Sequence, residues 1–152
     1  MTVLSQLEIV AKLGKLTPYR NISHFVLVNG RAFRPAPFPK GMRRGPFEFC
    51  FGNCQRLAKR RKLIFVEGYA MTATGGVGIH HAWCCDETGT VVDPTWGTGI
   101  EYFGVPLDFE YVRRNTFVEN VSVLDQWERR WPIFTDPPEQ WRYKGEIEVV
   151  KG

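Results

Sequence analysis

The sequence predicts an α+β fold, in which a helix that begins near Cys50 packs on an antiparallel sheet of about four to six strands. Helical spacing supports the helix, since apolar residues recur at one-turn intervals after this cysteine: Cys54, Leu57 and Ala58. A hairpin pattern supports the sheet, because residues 79–85 and 90–93 form two arms joined by a turn that contains Gly89. The length of 152 residues predicts one domain, residues 1–152, around one hydrophobic core.

Three segments precede this helix. Residues 3–14 predict an amphipathic helix, because their apolar side chains at positions 3, 7, 10 and 11 lie on one stripe. Residues 22–28 predict a strand, and Ala32 and Phe33 would begin a return strand after an Asn-Gly turn. Residues 34–46 are rich in proline and glycine, so we expect a loop there that leads the chain to the helix.

The segments after the helix alternate between strands and short helices. Residues 59–62 are all cationic and complement the negative end of the helix dipole. Residues 63–71 predict a strand, which the hairpin follows. Further on, we expect a strand at 101–105, a short helix at 107–114 and a strand-like segment at 116–123.

The composition excludes two classes of protein and indicates a basic face. Hydrophobic residues make up 43% of the chain and aromatic residues 14%, so it is too apolar for intrinsic disorder. The chain has no long apolar run and no basic leader at its start, so we expect a cytoplasmic protein without a membrane span. Residues 1–62 contain 13 Lys and Arg against 2 acidic residues, whereas residues 63–152 contain 7 against 14. This imbalance is compatible with a nucleic-acid or acidic partner, although we favour a solvated basic face.

Cys50, His81 and Asp93 are the candidate catalytic residues. A thiol at a helix N-terminus beside an imidazole has a lowered pKa and becomes a nucleophile. The hairpin register brings His81 opposite Asp93 or within about one pair of it, so the carboxylate can hold one imidazole nitrogen while the other faces the thiol. His80 then lies on the other face of the strand. The alternative is a buried structural thiol with a surface histidine.

Five short segments of the chain, in this order, resemble a group of small papain-like proteins of bacteria and phages. They are Cys-Phe-Gly-Asn at 50–53, Phe-Val-Glu-Gly-Tyr-Ala at 65–70, His-Ala-Trp at 81–83, Val-Asp-Pro-Thr-Trp at 92–96 and Tyr-Phe-Gly-Val at 102–105. The resemblance implies a papain-like or transglutaminase-like core, in which Cys50, His81 and Asp93 form a catalytic triad. The implied activity is thiol-dependent acyl transfer through a Cys50 thioester.

Hydrolysis of a peptide, protein or other amide-containing substrate is the activity we expect, because no acyl-carrier or nucleotide motif is visible. We expect no cofactor and no metal. The chain departs from papain-like enzymes in one respect, since no glutamine occurs between Gln6 and Gln55, and so none shortly precedes Cys50 to complete the oxyanion hole. The backbone N–H of Cys50 would supply one donor. The second donor remains open, with Arg44, Asn53 and Tyr69 as candidates.

Three alternative functions follow from the same residues. The first is transglutaminase-like or other acyl transfer to an amine. The second is a zinc module, but a Cys-x3-Cys pair on one helical face and the adjacent Cys84 and Cys85 do not match the usual zinc-knuckle spacing. The third is a non-catalytic binding or anti-partner protein on the same scaffold. Its contact residues would be basic: Arg43, Arg44, Arg56 and residues 59–62.

Overall fold

A computed structural model describes residues 1–97 and 99–150. It has the expected α+β class, with a five-stranded antiparallel sheet in the order β1-β5-β2-β3-β4. The strands are β1 Arg31–Phe33, β2 Ile64–Thr72, β3 Ile79–Cys85, β4 Val91–Val92 and β5 Gly99–Leu107. The α-helices are α1 Val3–Val10, α2 Ile22–Asn29, α3 Cys50–Arg61, α4 Phe109–Asn115 and α5 Pro138–Trp141.

Helix α3 begins at Cys50, as the sequence predicts, and ends at Arg61. The next residue, Lys62, caps it in a left-handed backbone conformation. Its last turn carries three cations that complement the helix dipole. The buried stripe of α3 includes Cys54 and Leu57, and it packs on Ala82 and Cys84 of β3. This packing fixes the start of α3 beside the hairpin.

The two faces of the sheet belong to different parts of the core. Phe65 pairs with Cys84 across β2 and β3, and both side chains pack with α3 in the larger core cluster. Val66 pairs with Trp83, and both lie in a second cluster that includes Tyr102. Because side chains alternate along a strand, neighbouring residues of β3 point to opposite faces of the sheet.

The prediction of a strand at residues 22–28 is wrong, because this segment forms helix α2. Asn21 caps the helix by accepting a 2.8 Å hydrogen bond from the His24 backbone N–H. Phe25 and Val26 are fully buried in the larger core cluster. A short apolar run in the sequence does not distinguish a buried strand from a buried helix. Here the Asn21 cap stabilises the start of a helix. Strand β1 therefore pairs with β5 instead of with this segment.

The prediction of a strand at residues 116–123 is also wrong. The segment is a loop, and its end is held by the buried carboxylate of Glu67. The backbone N–H groups of Val123 and Leu124 donate to that carboxylate at 2.8 and 3.2 Å. In a β-strand these N–H groups would donate to a neighbouring strand. Here they donate to the Glu67 side chain instead, so the end of the segment does not pair as a strand.

No helix in the described part of the chain is long and apolar enough to cross a membrane.

Replacing Gly68 by Ala should destabilise the protein by about 1–3 kcal/mol or more, because the new methyl group has no space. Gly68 of β2 faces Gly104 of β5, and an added Cβ would lie 2.4 Å from the Gly104 Cα. Chemical denaturation measures the change. Gly75→Ala is the control. The atom nearest to its added Cβ would be the Thr72 hydroxyl oxygen, at 3.1 Å, and the next nearest atom would be 3.9 Å away. Equal stability of the two variants would contradict the close approach of β2 and β5.

Candidate active site

Cys50 is the first residue of α3 and is partly buried. The backbone N–H groups of Ala82 and Phe51 donate toward its sulfur. Ala82 follows His81 directly in β3, so the thiol lies close to the backbone next to the predicted base. The start of α3 and the hairpin therefore converge on one point.

Two asparagines fix the start of α3 against the surrounding loops. Asn120 accepts a 3.3 Å hydrogen bond from the Gly52 N–H and donates to the Glu48 carbonyl at 3.2 Å. Asn53, which is buried, donates to the Pro46 carbonyl at 2.8 Å and to Thr95 Oγ1 at 2.9 Å. The N-terminal turn of α3 is therefore hydrogen-bonded to the loop that contains Asn120 and to the turn that contains Thr95.

His81 and Asp93 are in direct contact, with 2.8 Å between His81 Nε2 and Asp93 Oδ2. Both side chains are almost fully buried. Cys84 pairs with Val92, so Asp93 lies diagonally from His81 just past the end of β4. The imidazole is long enough to bridge this diagonal. The Trp96 ring stacks on the imidazole with 3.8 Å between ring centroids and shields the pair from solvent.

The Asp93 carboxylate has three further donors besides His81. The N–H groups of Thr95 and Trp96 donate to Oδ1 at 2.9 and 3.1 Å, and the Tyr102 hydroxyl donates to Oδ2 at 2.8 Å. Burial acts to raise the pKa of Asp93, but hydrogen bonds and the neighbouring His81 outweigh it and lower the pKa below its ordinary 3.8. Asp93 is therefore ionised and can only accept hydrogen bonds.

An ionised Asp93 fixes the tautomer of His81. Since the carboxylate has no proton to give, Nε2 must carry the hydrogen of this bond. Nδ1 is then the nitrogen that can accept a proton. No direct hydrogen bond joins the thiol to the imidazole among the described residues, as is common in substrate-free sites.

The thiol itself differs from the sequence-based expectation of a lowered pKa. Burial raises the pKa of Cys50 to about 11, and the charges of Glu67 and Asp93 act in the same direction. The N–H groups of Ala82 and Phe51 oppose this effect but do not overcome it. Loss of water around the thiolate outweighs its position at a helix start. In this state Cys50 holds its proton.

His80 belongs to a different network on the other face of β3. Its Nε2 lies 2.8 Å from Glu67 Oε2, and its ring packs edge-on against Phe51. Glu67 is fully buried and also accepts from the Ser122 hydroxyl. As the sequence predicts, only His81 of the two adjacent histidines contacts Asp93. The contacts of His80 tie β3 to the 122–124 loop.

Two of the three sequence-based candidates for a second oxyanion donor use donors elsewhere. Arg44 Nη1 donates to the Trp96 carbonyl at 3.0 Å. The Asn53 side-chain NH2 group donates to the Pro46 carbonyl and to Thr95 Oγ1. The Cys50 N–H has no acceptor among the described residues and remains available for an oxyanion.

Sequence reasoning did not assign roles to Tyr102 and Trp96, although both lie in the segments that carry the resemblance. An aromatic residue directly after Asp-Pro-Thr was the available signal for Trp96. Nothing in the local pattern placed the Tyr102 hydroxyl on Asp93, because that contact depends on the β2–β5 pairing. Among the described residues, no group of three His, Cys, Asp or Glu side chains is arranged to hold a metal ion.

Comparison with known proteins gives no match to a family model, to a curated protein or to a solved structure.

Alkylation of Cys50 by iodoacetamide should be slow near pH 6 and should accelerate as the pH rises toward about 11, because the thiol is neutral below that pKa. Peptide mapping by mass spectrometry measures the rate at Cys50 separately from the other three cysteines. Cys50→Ser serves as the control for labelling elsewhere. A fast, pH-independent rate near pH 6 would show a standing thiolate and contradict the raised pKa.

Asp93→Asn should lower the free energy of unfolding above about pH 5, and the difference from the unmodified protein should shrink below about pH 4. The sign follows from the lowered pKa of Asp93: its stabilisation is complete above the ordinary value of 3.8 and is lost as the pH falls. Urea denaturation across this pH range measures the effect. Glu119→Gln, which alters an exposed ion pair, should follow the unmodified protein. A pH-independent difference for Asp93→Asn would contradict the ionised network.

Proposed function

We propose that the protein is a thiol-dependent acyl-transfer enzyme with a papain-like core, and that it acts as a cysteine peptidase or amidase through a thioester on Cys50. The observations that support this proposal are the buried His81–Asp93 pair and the Cys50 thiol at the first residue of α3, whose sulfur lies by the backbone N–H of Ala82, the residue after His81. Fixing one imidazole nitrogen on a carboxylate while the other faces a thiol is the arrangement that cysteine nucleophiles require. His81 is the base and Asp93 orients it.

The neutral thiol determines how the first step would proceed. His81 Nδ1 takes the thiol proton as Cys50 Sγ attacks the amide carbonyl carbon, and the negative charge develops on the carbonyl oxygen. The Cys50 N–H donates to that oxygen. When the C–N bond breaks, the imidazolium returns the proton to the leaving amine. The products of this half-reaction are a free amine and the Cys50 thioester.

Water completes turnover by the reverse proton path. His81 Nδ1 accepts a proton from water as its oxygen attacks the thioester carbonyl, and the C–S bond then breaks. The proton returns to sulfur, which regenerates the thiol and releases a carboxylic acid. Asp93 stabilises the positive charge that His81 carries in both half-reactions, because the carboxylate lies 2.8 Å from Nε2.

Exposed aromatic side chains next to Cys50 favour a substrate with an apolar part. Phe49, directly before Cys50, is 42% exposed, and Phe47, two residues further back, is 73% exposed. Large exposed aromatic groups at the edge of a site are typical of binding surfaces. They support an amide or peptide substrate whose apolar groups lie along the entrance to the site.

Incubation with p-nitrophenyl acetate, a generic acyl donor, tests the proposal. We expect an acetyl thioester on Cys50, detected by mass spectrometry after acid quench. His81→Ala should slow its formation by about 10²-fold or more, because the positioned base is lost. Asp93→Asn should also slow it, since the amide no longer holds the imidazole in its required tautomer.

His80→Gln is the matched control for this experiment, because glutamine can still donate to Glu67 while the neighbouring His81 is untouched. It should form the thioester at nearly the rate of the unmodified protein. Circular dichroism of each variant separates unfolding from loss of chemistry. Acetylation that occurs equally at all four cysteines, or that is unaffected by His81→Ala, would contradict the proposed triad.

A further inference from the structure

A cationic cavity lies behind the turn that holds Asp93. It has a volume of about 290 Å³ and is walled by Asn53 of α3 and by Pro94, which follows Asp93. Five cationic side chains line it: Arg43, Arg44, Arg56, Lys59 and Arg60. No acidic side chain is among its lining residues. The proposed acyl chemistry makes no use of this cavity.

The positive charge of the cavity is largely uncompensated. Arg56 pairs with Glu119 at 3.2 Å, but both side chains are exposed, and such pairs contribute little. Arg43, Lys59 and Arg60 form no ion pair with any residue that the structure describes. All five cations are exposed, so water screens part of their mutual repulsion. Their concave arrangement is complementary to an anion.

The chemistry of the lining indicates the kind of anion. Four of the five cations are arginines, and the guanidinium group binds phosphate through two parallel hydrogen bonds. The apolar floor formed by Leu57, Pro46 and Pro94 would contact a non-ionic part of the ligand. The volume is close to the lower limit of about 300 Å³ for small-molecule pockets, which favours a small ligand over a polymer strand.

We propose that this cavity binds a small ligand that carries two or more phosphate groups. Its wall is connected to the catalytic turn, since the Arg44 guanidinium donates to the Trp96 carbonyl at 3.0 Å and the Gly45 N–H donates to the Pro94 carbonyl at 2.9 Å. The ligand would bind beside Asn53, which lies one helical turn from Cys50. It would contact the same turn that orients His81.

Isothermal titration with inorganic pyrophosphate at physiological ionic strength tests the proposal. The unmodified protein should bind pyrophosphate, and the double variant R43Q/R60Q should bind it at least about tenfold more weakly, because two charge-assisted contacts are lost. The double variant K12Q/K15Q removes the same charge from exposed lysines that do not line the cavity. It should retain the unmodified affinity.

Two further measurements distinguish a formed site from a diffuse basic surface and from the thiol site. Cys50→Ser should bind pyrophosphate as tightly as the unmodified protein, so failure of the proposed enzyme activity would leave this result intact.

The affinity of the protein for a single-stranded oligonucleotide should fall by a similar factor in R43Q/R60Q and in K12Q/K15Q. No pyrophosphate binding by the unmodified protein, or equal losses of pyrophosphate affinity in the two double variants, would overturn the proposal. Loss of binding in Cys50→Ser would overturn it as well.

Discussion

The buried carboxylate of Asp93 is the constraint on which the rest of the site depends. A charge this deeply buried costs several kcal/mol unless it is fully paired. Its four donors come from three separate parts of the fold: His81 from β3, Thr95 and Trp96 from the turn after β4, and Tyr102 from β5. An ionised Asp93 therefore requires these parts to meet in one arrangement. That arrangement occupies one imidazole nitrogen and leaves the other without a bond to the carboxylate.

A second buried carboxylate, that of Glu67, is also held by several hydrogen-bond partners, on the other face of the sheet. Glu67 binds His80 and the backbone of the loop after residue 121, so the adjacent histidines of β3 are held by different acids. Burial raises the pKa of Cys50, and the charges of both carboxylates act in the same direction. Because its pKa is raised, the thiol is neutral near pH 7, and the proposed chemistry therefore requires proton transfer to His81 during the attack.

The sequence predicted those parts of the site that depend on local patterns. The start of α3 followed from helical spacing after a loop rich in proline, and the nearness of His81 to Asp93 followed from a hairpin of defined length. The α2 helix was mistaken for a strand because eight apolar-rich residues fit both structures, and only the Asn21 cap decides. The raised pKa of Cys50 depends on burial by distant segments, which no local pattern contains.

The tautomer of His81 tests the central claim most directly, because the proposed chemistry requires the proton on Nε2 and a free Nδ1. Long-range ¹H–¹⁵N correlation spectra of the protein, with His81 assigned by comparison to His81→Ala, report which nitrogen is protonated in the neutral imidazole. We expect the proton on Nε2 in the unmodified protein and a substantial Nδ1-protonated population in Asp93→Asn. A proton on Nδ1 in the unmodified protein would contradict the account, since His81 would then have no nitrogen with which to accept the thiol proton.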